Sequence, residues 1–301
     1  MTQGRGEFSL AAAPDRLAHP RQLDSETTAK LVGMDISSSA TATATATASA
    51  TAGAATRLAT PSAQPSAQTL APTARIDSDH PAVLAFAAAH AVGADDRERA
   101  VALVLAVRDG FRYDPYRADL SAHGMTASTV LAQGYGWCVP KATLLTAACR
   151  AAGIPARLGF ADVRNHLSTE RMRSNMETEI FYWHGYTEIW LDGAWRKATP
   201  AFNLSLCQKF GLLPLDFNGR DDSVYHPFDA SGQRHMEYLT QRGSFDDLPL
   251  DAILQDFRLH YPRWLADMAQ QQSADFMAEV GQETGAGAAN AANPVCAAGG
   301  A

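Results

Sequence analysis

Cys138 lies in Gly134-Tyr135-Gly136-Trp137-Cys138-Val139-Pro140-Lys141, where a glycine-punctuated loop runs into the apolar stretch Ala142-Thr143-Leu144-Leu145. His184 follows within the aromatic run IFYWHGYTEIWLDGAW. The thiolate is the nucleophilic form of cysteine, and the N–H groups and positive dipole end of a helix N-terminus can lower a thiol's pKa. Pro140 suits a first helical turn, so the spacing predicts that Cys138 opens a helix. A histidine held on a strand can take the thiol proton and return it to a leaving group. Such a pair supports attack of sulfur on an acyl carbonyl through a thioester. The Cys138 backbone N–H is a candidate oxyanion donor, and the Gln133 side chain is a second. Gly134 and Gly136 leave room for a substrate backbone. Tyr135 and Trp137 are candidate cleft walls.

These side chains need elements to bring them together. Asp79–His90 reads as a helix with Pro81 in its first turn. Asp95–Gly110 reads as another, with an acidic start, apolar positions at Val101, Leu103, Val104, Leu105 and Val107, and a glycine stop. A short helix begins over Thr126–Leu131, and Cys138–Ala152 reads as a buried helix closed by Gly153 and Pro155. The period then changes. Ala156–Val163 alternates as a strand, Ile180–Leu191 is strand-rich, Asp192-Gly193 is a two-residue hairpin signal, and Ala194–Ala198 returns. Residues 164–178 read as a polar surface loop, with Arg171, Arg173 and Asn175 in solvent. Residues 203–245 read as irregular chain, and Asp251–Tyr261 and Trp264–Val280 as helices. Helices, then strands, then helices is the order of an α+β domain.

Composition bounds the rest. Of 301 residues, 38–56 are almost pure Ala, Thr and Ser, and 57–74 add Pro and Gln. Such stretches bury too little apolar surface to offset ordering entropy, so 1–74 reads as a disordered low-complexity arm. The tail 281–301 reads likewise. A single domain over 75–280 remains, a core of 75–203 and an extension of 204–280. Met34, just ahead of the low-complexity tract, raises the expectation that the true start lies there. The net charge of −7 shows no basic stripe, against a nucleic-acid partner. No run of about 18 apolar residues predicts a membrane span, and no secretory signal is evident, so the cytoplasm is expected. The four cysteines, Cys138, Cys149, Cys207 and Cys296, lack metal-ligand spacing. Cys149 reads as a core residue. His226 and His235 among nearby carboxylates fit no strong ligand pattern, so no metal is expected.

GYGWCVPKATLLTAACRAAGIPARLGF resembles the nucleophile segment of the transglutaminase-like superfamily. WHGYTEIWLDGAWRKATPAF resembles its histidine hairpin, and IDSDHPAVLAFA with AVRDGFRYDPY its helical lead-in. The resemblance implies a papain-like α+β fold, with a helix bearing Cys138 packed on an antiparallel sheet bearing His184. It implies Cys138 as nucleophile, His184 as base, and acyl transfer ending in amide exchange, deamidation or hydrolysis, without a cofactor. Glu188 and Trp195 stand where the hairpin pattern often has an acidic and an aromatic residue. One position departs: Thr199 stands where the family usually carries aspartate. A threonine hydroxyl can fix a tautomer but adds no charge to stabilise the imidazolium. Asn203 is the second candidate to orient His184. Glu188 is the third, although on a regular strand it would lie about 13 Å from His184 at about 3.3 Å per residue.

The expected function is cysteine-dependent acyl transfer at amide bonds of a protein or peptide substrate. Hydrolysis of a peptide or isopeptide bond leads, because nothing in the sequence marks an amine acceptor site. The alternative is a non-catalytic peptide-binding or scaffold domain with a degenerate site, which the missing aspartate supports.

Overall fold

The computed structural model describes residues 63–165, 168–224 and 236–291, with backbone only over 286–291. All belong to the unit Leu58–Ala301. Helix α1 (Pro81–His90) is capped by His80, whose Nδ1 accepts the Ala82 N–H. Helix α2 (Asp96–Gly110) is capped by Asp95, which accepts the Glu98 N–H at 2.8 Å. α2 buries Leu103, Val104 and Val107 on one face, the stripe its apolar spacing predicts. β1 (Arg112–Tyr113) pairs in parallel with β2 (Tyr135–Gly136), and between them lies α3 (Ala127–Gln133). Gly134 ends α3 in the left-handed region at φ 73°, where glycine carries no Cβ penalty.

Helix α4 (Cys138–Ala151) is buried on every face from Cys138 to Arg150. A helix wrapped on all sides must satisfy its polar side chains internally. Thr143 and Thr146 donate back to the carbonyls of Val139 and Ala142. Arg150 donates to the carbonyls of Ala71, Ala156 and Asp246. Lys141, with no exposed surface, donates to the carbonyls of Arg108, Phe111 and Ala201 at 2.7–2.9 Å. It thereby joins the end of α2, the start of α4 and the chain after the hairpin.

The sheet that faces α4 is four-stranded, with order β5-β4-β3-β6 and antiparallel pairing throughout. Its strands are β3 (Ala156–Asn165), β4 (Ile180–Leu191), β5 (Ala194–Ala198) and β6 (Met236–Phe245), with α5 (Glu170–Met176) and α6 (Leu204–Phe210) between them. The β4–β5 turn has Asp192 at φ 50° and Gly193 at φ 81°, as a two-residue hairpin of twisted strands requires. Thr187 on β4 donates to the Ala142 carbonyl and meets Thr146, fastening sheet to helix. Helices α7 (Leu250–His260), α8 (Pro262–Ala266), α9 (Met268–Gln271) and α10 (Phe276–Ala291) complete the fold. The α+β architecture, with the Cys138 helix against the His184 sheet, is the expected one. Among the described residues no helix is long and apolar enough to cross a membrane.

Four stretches differ from expectation. The chain read as disordered up to residue 74 is already anchored: Thr69 is buried, Ala71 accepts from Arg150, and Thr73 donates to Asp247. The 164–178 loop contains the last residues of β3 and then α5, which Thr169 caps by accepting the Met172 N–H. Its burial of Met172 and Met176, four residues apart, is a helical pattern that the surrounding Arg and Asn obscure. The 203–245 segment supplies α6 and the edge strand β6, whose partner β3 is distant in sequence. Finally, the helix read over Trp264–Val280 is broken into α8, α9 and α10, and α10 runs to Ala291 instead of stopping before Gly281. Glu279 accepts from Arg171, and Glu283 accepts the Glu170 N–H, so contacts to α5 hold residues that are weak helix formers alone.

Candidate active site

α4 begins at Cys138, with Trp137 as the residue before it, so the thiol sits at the first turn of a buried helix. β4 crosses that turn closely. A Cβ on Gly185 would stand 3.0 Å from the Val139 Cα and 3.4 Å from the Phe160 ring. A Cβ there would crowd backbone, which cannot swing aside as a flexible side chain can. The backbone N–H groups of Gly185, Val139 and Cys138 each favour the thiolate form.

His184 is aimed by a β-bulge. Ala161 pairs with His184 and Val163 with Phe181, so Tyr182 and Trp183 together oppose Asp162. Bulges of this kind redirect side chains next to functional sites. Trp183 takes up the distortion at φ 61°, a conformation costing on the order of 1–3 kcal/mol for a bulky residue. An ionic clamp holds it. Asp162 accepts the Trp183 N–H at 3.1 Å and Arg242 Nε at 2.5 Å. Asp256 accepts Trp183 Nε1 at 2.8 Å and an Arg242 Nη at 2.5 Å. The Arg242 guanidinium also lies 4.6 Å from the Trp183 ring centre.

Cys138 and His184 line one cavity, and are 7% and 6% exposed. Its volume is about 50 Å³ and it opens partly to solvent; an apolar cavity of about 150 Å³ holds benzene, so this one has room for roughly two non-hydrogen atoms. Trp137 forms one wall, Met172 and Met176 of α5 another, and Phe257, Tyr261 and Trp264 of α7–α8 a third. Burial pushes the Cys138 thiol up to about 11, against the lowering pull of the three backbone N–H groups. Burial also brings the His184 imidazole down to about 4. The helix N-terminus therefore does not lower the thiol as the sequence suggested, because desolvation among apolar walls outweighs it. At neutral pH both groups are uncharged.

The expected orienting residues take other partners. Thr199 shares with His184 a second cavity of about 10 Å³, bounded by Ala201, Phe202, Leu215, Val224 and Met236. Its hydroxyl, however, donates to the Val224 carbonyl at 3.2 Å. Asn203 is turned toward β1: Oδ1 accepts the Tyr113 N–H, and Nδ2 donates to Ser205. Both residues brace the chain after the hairpin. His184 Nε2 is buried without a hydrogen-bond partner among the described residues. Glu188 is engaged elsewhere, accepting Arg157 Nε at 2.6 Å and the Ser244 hydroxyl, while Trp195 stacks under Arg157.

Of the four residues expected at the oxyanion or substrate, only Trp137 lines the cavity. Gln133 is the last residue of α3. Tyr135 lies under Arg117, and Gly136 is engaged in the β1–β2 pairing. Their nearness to Cys138 in sequence is undone by the tight β2 turn into α4. The His226–His235 segment lies outside the described residues.

Sequence reading overlooked Gly185, Asp162, Lys141 and the two methionines. Asp162 and Lys141 carry a legible signal: a lone charge inside an otherwise apolar element must find partners when buried. Gly185 carries none, since its role depends on how near α4 approaches.

Residues 85–200 match the family model described as the transglutaminase-like superfamily. No curated protein matches the chain. A solved structure of a candidate cysteine protease from Cytophaga hutchinsonii aligns at a TM-score of 0.35 and 16% identity, over 59% of this chain and 53% of that one. A likeness that weak carries no chemical inference.

Proposed function

Because residues 85–200 match the family model of the transglutaminase-like superfamily, we propose that the protein is a cysteine-dependent acyl-transfer enzyme acting on amide bonds. Hydrolysis of a peptide or isopeptide bond is the reaction we assign. The carrying observation is the thiol and the imidazole lining one cavity, with the backbone N–H groups of Cys138, Val139 and Gly185 favouring the thiolate.

The pair rests neutral, so proton transfer accompanies attack. His184 takes the thiol proton as the sulfur–carbon bond forms, and the three N–H groups stabilise negative charge building on sulfur. The amide carbon–nitrogen bond then breaks, and the imidazolium protonates the departing amine. Water attacks the thioester, His184 receives its proton, the carboxylic acid leaves, and the thiol is restored. The low basicity of a desolvated imidazole makes the imidazolium short-lived, which favours its proton reaching the amine. A working free thiol suits a reducing compartment, so we place the protein in the cytoplasm; Cys138, Cys149 and Cys207 are all free.

A non-catalytic peptide-binding domain is the second reading. It is favoured by Thr199 and Asn203 hydrogen-bonding partners other than His184 and by the raised thiol. Peptide-library cleavage followed by mass spectrometry separates the two. Cleavage abolished by Cys138→Ala and cut steeply by His184→Ala is the expected outcome. Full cleavage by Cys138→Ala would overturn the enzymatic assignment, and stoichiometric peptide binding without turnover would establish the second reading.

A further inference from the structure

We infer that α5 is a lid over Cys138 and that α10 latches it shut, an inference that rests on the acyl-transfer reading above. A peptide acyl group bonded to the sulfur needs space beside Cys138 for at least one residue. The cavity opens partly to solvent but has room for roughly two non-hydrogen atoms in its volume of about 50 Å³. The arrangement therefore admits solvent and no peptide, and one wall must withdraw before the reaction can start.

The walls are not equally fixed. Trp137 adjoins the buried helix α4. The α7–α8 wall is tied to β4: the Tyr261 hydroxyl donates to the Ile180 carbonyl and accepts the Tyr182 N–H, and Asp256 accepts Trp183 Nε1. By contrast, α5 is seven residues long, too short to persist without outside support. It lines the cavity with Met172 and Met176, and it meets α10 through polar groups. Arg171 Nε donates to Glu279 at 2.8 Å, the Glu170 N–H donates to Glu283 at 2.8 Å, and an Arg173 Nη lies 3.7 Å from Glu283. The Tyr116 hydroxyl bridges the two helices, donating to Glu279 and meeting the Thr169 hydroxyl, each at 2.5 Å.

The α10 side of the latch belongs to the body of the protein. Phe276 packs edge-on against Tyr116, Val280 is buried, and Lys209 of α6 donates to the Met277 carbonyl. A fixed helix thus holds a marginal one through ionic contacts. The side chains of Arg171, Arg173 and Glu283 are 45%, 41% and 37% exposed, and ion pairs so exposed are individually weak. Such a latch keeps the lid shut at rest and still lets it open, as the low-stability elements of a fold do. Opening also restores reactivity: burial raises the thiol to about 11, and withdrawal of the methionine wall hydrates the sulfur and returns it toward the free-thiol range.

The full chain is treated with iodoacetamide, and the rate of labelling at each cysteine is read by mass spectrometry. The sulfur bonds to the reagent's methylene carbon, iodide leaves, and the thiol proton passes to buffer. Arg171→Glu sets two carboxylates against each other and should speed labelling of Cys138 by about fivefold or more, the equivalent of about 1 kcal/mol at about 1.4 kcal/mol per factor of ten. Glu283→Lys, facing Arg173, should act in the same direction. Arg171→Lys keeps the ion pair and should stay within about twofold of the wild type. Cys149, fully buried further along α4, is the internal control, and its labelling should stay as slow as in the wild type. Unchanged labelling of Cys138 in Arg171→Glu would overturn the latch. So would an equal rise at Cys149, which would mean that the whole fold has loosened. Alkylation needs no turnover, so either result leaves the acyl-transfer reading standing, to be judged by the peptide-cleavage assay with Cys138→Ala.

Discussion

Replacing His184 with glutamine tests whether the imidazole is held neutral in a dry cavity, the condition on which the neutral-pair chemistry depends. Burial brings the folded-state pKa from 6.5 to about 4, and in the unfolded chain it returns to about 6.5. Between these values the unfolded chain binds a proton that the folded chain refuses. Stability therefore rises with pH across this window and is lost as pH falls through it. The effect is absent near pH 8. At pH 4 it reaches about 3 kcal/mol, from a gap of about 2.5 pH units at about 1.36 kcal/mol each, less the half-protonation of the folded state. Solvent screening takes little from this, since the ring is 6% exposed. Glutamine is close in volume and does not titrate, so His184→Gln removes this pH dependence alone. Urea unfolding of both proteins at pH 8, 6, 5 and 4 gives the difference directly, and the remaining titrations, carboxylates included, cancel. The stability of the wild type relative to the variant should drop by about 3 kcal/mol between pH 8 and pH 4. A difference constant to within about 0.5 kcal/mol, the scale of non-additivity between independent sites, would mean a solvated imidazole and would refute the reasoning.

Gly185→Ala places a Cβ 3.0 Å from the Val139 Cα, so β4 must retreat at a cost of about 1–3 kcal/mol. Acylation of Cys138 should fall by about a hundredfold with a cooperative melt retained; unchanged acylation would show that the close approach is irrelevant. Lys141→Met keeps the volume but strands three buried carbonyls, which should cost about 3 kcal/mol in urea unfolding; an unmoved midpoint would contradict this. Thr199→Asp puts a carboxylate into the small cavity it shares with His184. The imidazole pKa, followed by NMR, should climb from about 4 by roughly 1–3 units, and a flat response would mean that the carboxylate turns away.

Local chemistry made much of this protein legible. Asp95, Gly134 and Asp192-Gly193 mark a cap, a helix end and a hairpin turn because each acts on the residues beside it. The start of a helix at Cys138 and the strand carrying His184 follow from periodicity in the same way. Their meeting was anticipated through the family pattern and rests in the fold on the β4–α4 contact. Met172 and Met176 were concealed by their polar neighbours, and β6 by the distance in sequence to β3.

Residue types, and their order along the chain, determined by themselves which groups could react: one thiol at a helix start and one imidazole on a strand. Tertiary structure alone decided their state and their surroundings. Desolvation depends on every element packed around a group, so the thiol is raised and the imidazole lowered by walls from α5 and from α7 and α8, the last two far away in sequence. Hydrogen-bond choice depends on which acceptor is nearest in space, so Thr199 serves Val224 and Asn203 serves Tyr113. The strain at Trp183 persists because Asp162, Asp256 and Arg242, from three separate elements, converge on it.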